Sequence, residues 1–194
     1  GLPLAVALAN KVPVIGFDSC EAKIQQMQSG VETTEEVGDV ALKASSLRIT
    51  SDESAIGEGD FVIVAVPTPV KGDHTPDLEP VLQASHSIGR HLKPGAIVVY
   101  ESTVYPGVTE ELCVPAIEET SGKKCGTDFY IGYSPERINP GDKVNTLKNI
   151  TKIVSGMTPE VCEEIGKVYK LAVDNIFPVS SIKVAESAKL LENT

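Results

Sequence analysis

An α/β fold built on a parallel sheet with flanking helices is what this sequence predicts. Two observations carry the prediction. Short apolar runs recur along the chain, and helical stretches of about 10–15 residues lie between them. Strands that alternate with such helices form βαβ units, which build a parallel sheet.

Taken in order, Gly1 precedes "LPLAVALAN", an apolar helix. "VPVIGF" (12–17) is a strand, and "EAKIQQMQSG" (21–30) is a helix closed by Gly30, a residue suited to the C′ position. "LRIT" (47–50) is a short strand. "SDESAIGEGD" (51–60) then supplies a serine or aspartate N-cap, one or two turns and a glycine-rich turn. "FVIVAV" (61–66) is apolar on both faces, as a strand in the middle of a parallel sheet should be. It stops at Pro67-Thr68-Pro69, and prolines cannot continue a ladder. The chain is therefore expected to leave the sheet after Val66, with Thr68 on a stiff loop at the carboxyl end of a strand.

"LEPVLQASHSIGRHL" (78–92) has apolar residues at 78, 81, 82, 88 and 92, an amphipathic helix pattern. "PGAIVVYEST" (94–103) gives a turn and another strand. "TEELCVPAIEETSG" (109–122) is a helix broken or kinked at Pro115. "DFYIGYSPE" (128–136) and "KIVSG" (152–156) are further strands. "TPEVCEEIGKVYKLA" (158–172) is a helix with Thr158 as N-cap and Pro159 at its first position. "NIFPVS" (175–180) is a last short strand, and "SIKVAESAKLLENT" (181–194) starts a last helix.

The 194 residues suffice for one sizeable domain, and 41% apolar with 23% charged residues is an ordinary globular composition. A formal charge of −10, without a Lys/Arg cluster, argues against nucleic acid and anionic membrane as partners. An anionic small molecule is compatible, because a helix N-terminus is enough to bind one. No apolar stretch reaches the roughly 18 residues of a membrane span, and a secretory signal is absent from this chain. Cys20, Cys113, Cys125 and Cys162 are widely spaced and read as reduced thiols of a cytoplasmic protein, with a disulfide as the alternative. They share no metal-ligand spacing with His74, His86 or His91, so no metal is expected.

The residues at the strand ends are more telling. Asp18 comes directly after the first strand, Pro67-Thr68-Pro69 after "FVIVAV", Ser102-Thr103 after "AIVVYE", and "SPERINPG" after "YIGY". In a parallel sheet these carboxyl ends share one edge, so Asp18, Thr68, Ser102, Thr103 and Glu136 should surround one crevice. Singly, an aspartate there can be a helix cap, and Ser-Thr can serve local hydrogen bonds. Asp18 also has a specific reading. A Rossmann domain places an acid after its second strand to accept hydrogen bonds from the adenosine ribose of NAD. Counting back about 20 positions reaches Gly1, which fits the last glycine of G-x-G-x-x-G. The first strand and the first two glycines are then expected upstream of Gly1. An acid at this place favours NAD over NADP.

"GLPLA", "GFD", "VPTP", "PDL", "ESTVYPG", "SPERINPGD" and "AESAKLLEN" together resemble the UDP-glucose/GDP-mannose dehydrogenase family over essentially the whole chain. "SPERINPG" most resembles its UDP-N-acetylhexosamine 6-dehydrogenase branch, which makes uronic acids for bacterial capsule or O-antigen polysaccharides. UDP-glucose dehydrogenases tend to carry a second glutamate where this sequence has Pro140. The resemblance implies oxidation of a sugar C6 alcohol to a carboxylate in two NAD-dependent steps, through an aldehyde and a cysteine thioester.

By the same resemblance, Asp18 and Lys23 hold the adenosine side of NAD. Val66, Pro67 and Thr68 line its middle, and Ser102 and Thr103 approach the nicotinamide. Glu136 matches the glutamate of thioester hydrolysis, with Thr103 helping to position water. Arg137 and Ile138 match substrate contacts, and Lys189 and Asn193 match the pair that steadies charge on the substrate oxygen. The spacing i, i+4 independently puts those two on one helix face, an ammonium and an amide aimed at one point. The family's nucleophilic cysteine matches none of the four here, and its sugar-nucleotide domain comes after the linker helix.

The expected organisation is thus an NAD-binding domain over 1–180 and the start of a linker helix over 181–194, through which the family usually dimerises. A UDP-glucose or GDP-mannose substrate is the alternative within the family. A non-catalytic nucleotide-binding module is the alternative outside it. A short-chain reductase or epimerase would need Tyr-x-x-x-Lys, which no tyrosine here provides.

Overall fold

The computed structural model describes residues 1–32, 37–136 and 150–192. Strands β1 (Ile15–Phe17), β2 (Arg48–Thr50), β3 (Phe61–Val64), β4 (Ile97–Tyr100), β5 (Tyr130–Tyr133), β6 (Thr151–Gly156) and β7 (Asn175–Pro178) alternate with helices. The helices are α1 (Leu2–Ala9), α2 (Glu21–Gln28), α3 (Asp39–Ala44), α4 (Glu79–His91), α5 (Val114–Ser121), α6 (Pro159–Tyr169) and α7 (Ile182–Glu192). A 3-10 helix, Glu53–Glu58, joins β2 to β3, capped by the Asp52 carboxylate on the Ser54 N–H.

The strands form two sheets, β1-β2 and β3-β4-β5-β6-β7. Within the larger one, β3, β4 and β5 are parallel neighbours. Their side chains alternate between two cores. Val64, Val98, Tyr100, Ile131 and Tyr133 face α4, α5 and α7 through Val81, Ile88, Ile117, Ile182 and Ala185. Val99, with Phe61, Ile63, Ile97 and Tyr130 beside it, faces α1 and α6 through Leu4, Leu8, Ile165 and Tyr169. Helices on both faces explain why β4 reads as an unbroken apolar run. Among the described residues, β1 and β3 do not pair with each other.

Local signals are realised as the sequence predicts. Thr158 Oγ1 accepts from the Val161 N–H at the start of α6, with Pro159 behind it. Gly30 closes α2 with φ +81°. The break expected at Pro115 is a π turn, Thr109–Cys113, running into α5. Pro115 has no N–H to offer the Glu111 carbonyl and its ring crowds that group, so the helix widens one turn earlier.

One expectation is corrected and one element is added. The sheet is not parallel throughout: β6 pairs antiparallel with β5, through Gly132–Gly156 and Tyr133–Ser155, and β7 runs with β6. A parallel neighbour needs a crossover of a dozen or more residues, usually helical, whereas an antiparallel one does not. Helix α3 is also new. It is six residues long and buries only Leu42, too little to show a period.

Candidate functional site

The carboxyl end of β3 is tied to that of β4. The ladder stops at Val64, two residues before the expected Val66. Val66 is held instead by Ser102, whose hydroxyl donates to the Val66 carbonyl oxygen at 2.8 Å. Pro67 and Pro69 then deny the loop two N–H donors, and Thr68 between them carries a buried Oγ1 with no hydrogen-bond partner among the described residues. A hydroxyl removed from water without a partner is costly, so this atom is suited to a bound group.

The end of β4 is tied in turn to β5. Ser102 is 5% exposed, and its carbonyl accepts from the Tyr133 hydroxyl at 3.1 Å. Burial pushes the Tyr133 phenol well above its ordinary pKa, so it stays a donor. Thr103, the next residue, is exposed at the edge.

Asp18 ends β1, and its N–H donates to the Thr50 carbonyl at 3.3 Å. Oδ1 accepts from the Cys20 N–H at 3.0 Å, and Oδ2 pairs with Lys23 Nζ at 2.6 Å, one turn into α2. The helix-start role and the acidic-edge role thus coincide. The Asp18 side chain remains 32% exposed, open to hydroxyl donors. Gly1 lies beside the end of β3: a Cβ there would stand 3.2 Å from the Ala65 Cβ. This close approach starts α1 beside the end of β3, the strand that Thr68 follows, and a helix N-terminus is suited to an anion. The Thr68 hydroxyl, the Gly1 approach and the Asp18 acid together fit a dinucleotide.

The last side of the edge comes from α7. Lys189 Nζ donates to the Glu136 backbone carbonyl at 2.6 Å, and both residues are half-buried. The Ser134 hydroxyl donates to the Ile153 carbonyl at 2.6 Å, turned into the sheet. Arg137, Ile138 and Asn193 lie outside the described residues. Sequence reasoning passed over Glu186, fully buried one turn before Lys189. Its two oxygens accept from the Gly107 N–H at 2.6 Å and the Thr109 N–H at 3.0 Å, seating α7 on the start of the π turn. The signal was available, since Glu186 is an acid inside the "AESAKLLEN" motif itself. A cavity of about 550 Å³ lined by Gly95, Ile97 and Tyr130 lies at the opposite end of β4 and β5, away from this edge.

The family model described as "UDP-glucose/GDP-mannose dehydrogenase family, NAD binding domain" matches residues 1–173. Protein CapL of Staphylococcus aureus is 52% identical over 195 residues, which cover 100% of this chain and 46% of CapL. A UDP-N-acetyl-D-glucosamine 6-dehydrogenase of Pseudomonas aeruginosa is 48% identical, again over 100% of this chain and 46% of its own length. Among solved structures, a UDP-D-ManNAc dehydrogenase from Pyrococcus horikoshii superposes with a TM-score of 0.91 at 32% identity, over 100% of this chain and 47% of that one. The chain therefore spans about half the length of the relatives it matches.

Proposed function

Because the chain belongs to the UDP-glucose/GDP-mannose dehydrogenase family and carries its NAD-binding domain, we propose that it supplies the cofactor half of a UDP-N-acetylhexosamine 6-dehydrogenase. The enzyme oxidises the sugar C6 alcohol to the uronate for capsule or O-antigen polysaccharide, in the cytoplasm. The observation that carries this reading is the meeting of two motifs 53 residues apart. Lys189 of "AESAKLLEN" lies against Glu136 of "SPERINPG", on the edge where Thr68 and Ser102 end their strands.

NAD, when bound, accepts the hydride. Asp18 accepts the ribose hydroxyls, with Lys23 holding the carboxylate in place. Thr68 donates to, or accepts from, the middle of the dinucleotide, and Val66 and Pro67 pack against it. Ser102 is immobilised by Val66 and Tyr133, which leaves Thr103 fixed at the nicotinamide end. Lys189, with Asn193, steadies negative charge on the substrate oxygen, a preorganised cation where charge develops. Glu136 takes a proton from the water that hydrolyses the thioester, and Arg137 and Ile138 contact the sugar nucleotide. In this reading the NAD-binding domain spans 1–180 and the linker helix starts at 181. Exposed Val184 and Leu191 on α7 support a homodimer there.

The test is NADH formation from UDP-GlcNAc, UDP-GalNAc and UDP-ManNAc by the enzyme at the full length of its relatives. Glu136→Gln should stall after the oxidative steps and leave a sugar adduct visible by mass spectrometry. Full steady turnover by that variant would remove Glu136 from the mechanism. The 194-residue chain alone should form no NADH.

A further inference from the structure

Beneath the edge lies an ion pair with no part in the proposed chemistry. Lys152 on β6 and Glu101 directly after β4 are 0% and 1% exposed, with Nζ 2.6 Å from Oε1. The same Nζ donates to the Pro135 carbonyl at 3.1 Å and stands 5.2 Å from the centre of the Tyr169 ring. The Tyr169 hydroxyl donates to Glu101 Oε1 at 2.8 Å. Burial and the neighbouring Glu101 charge raise that phenol's pKa, so it remains a donor.

Stability does not account for this pair. Desolvation costs several kcal/mol per ion, and apolar residues of similar volume usually serve a core as well or better. What an apolar pair cannot do is bond to particular atoms on two loops. Glu101 immediately precedes Ser102-Thr103, and Pro135 immediately precedes Glu136. The ammonium grips both at once. It can do so because β6 runs antiparallel to β5, which brings the start of β6 beside the end of β5.

We infer that Lys152 and Glu101 are positioning residues, a buried clamp that sets Thr103 and Glu136 in register for hydrolysis of the thioester. The inference rests on the proposed function and is tested in the enzyme at the length of its relatives. Lys152→Met alone strands a buried carboxylate and should lower the melting temperature. Glu101→Leu/Lys152→Met should regain that temperature, yet lose kcat on the order of 10²-fold, as misplacement of reacting groups does. KM for NAD should hold, and mass spectrometry should find the sugar adduct accumulating. Tyr169→Phe keeps the ring over the ammonium and removes only the bond to Glu101. It should fold as the unaltered enzyme does and lower kcat without raising KM. Wild-type kcat with no adduct in both the double variant and Tyr169→Phe overturns the clamp and leaves the proposed function standing. If the unaltered enzyme forms no NADH from any UDP-sugar, the proposed function falls and the clamp with it.

Discussion

Thr68 holds a buried hydroxyl that nothing among the described residues satisfies, and that atom separates stability from function. Thr68→Val keeps the shape and removes the unpartnered group. The free protein should gain on the order of 1 kcal/mol, because an unsatisfied buried hydroxyl carries a desolvation cost. NAD affinity should fall in the same variant. Thermal unfolding and calorimetric titration in the full-length enzyme check the two halves together, and a variant that loses both stability and affinity would show the hydroxyl bonded within the protein. Asp18 tests the other end of the cofactor. Its pairing with Lys23 is partly exposed and contributes little to folding. Asp18→Ala should therefore cost little stability beyond its bond from the Cys20 N–H, about 1 kcal/mol, and raise KM for NAD, a loss on the order of 1.5–3 kcal/mol for a charged hydrogen bond. An unchanged KM contradicts the ribose assignment.

Helices α4 and α5 show a propensity rule overridden by packing. Gly89 lies inside α4, where alanine would gain about 0.5–1 kcal/mol of helix propensity. A Cβ at Gly89 would overlap the Thr120 hydroxyl and stand 2.7 Å from the Ile117 carbonyl oxygen on α5. A hydroxyl can rotate away, but helical backbone cannot yield without separating the two helices. Gly89→Ala should thus destabilise by about 1–3 kcal/mol, the usual cost of overpacking. Urea denaturation measures it, and a gain in stability would mean that the helices slide apart cheaply. The site edge is built at this same scale. Ser102 binds β3 to β4, Tyr133 binds β4 to β5, and Lys189 and Glu186 bring α7 onto β5 and the π turn.

Across the fold as a unit, stability should narrow from both ends of the pH range. The Arg90 guanidinium holds the Glu53 carboxyl below its ordinary range, and the Lys124 ammonium and Cys125 N–H do so for Glu118. A depressed carboxyl stabilises the fold above its unfolded pKa, and that contribution is lost as pH falls through the folded value. At the alkaline end, burial raises the Cys113 thiol from 9.0 to about 11. Between these values the unfolded chain has released a proton that the folded one keeps. Stability should then fall by about 1.4 kcal/mol per pH unit from this group. Cys113→Ala should show a shallower alkaline slope in urea melts at successive pH values. An unaltered slope would place the alkaline loss elsewhere.

Sequence pattern was enough for the α/β class, most of the elements, the caps at Thr158 and Gly30, and the residues that end β1 and β5, while β3 leaves its ladder two residues before the prolines. These are local matters: period reports burial, caps report chain ends, and prolines report where a ladder must stop. The direction of β6, the inward turn of Ser134, the seat of Glu186 and the pairing of Lys152 with Glu101 came only with the packed chain. An apolar run is the same read up or down a sheet, so its pattern shows that a strand is buried and not which way it points. A lysine between Thr151 and Ile153 looks solvated until the reversed strand carries it beneath Pro135 and Glu101. The partners that satisfy such a charge are remote in sequence, and only the packed fold brings them within hydrogen-bond distance.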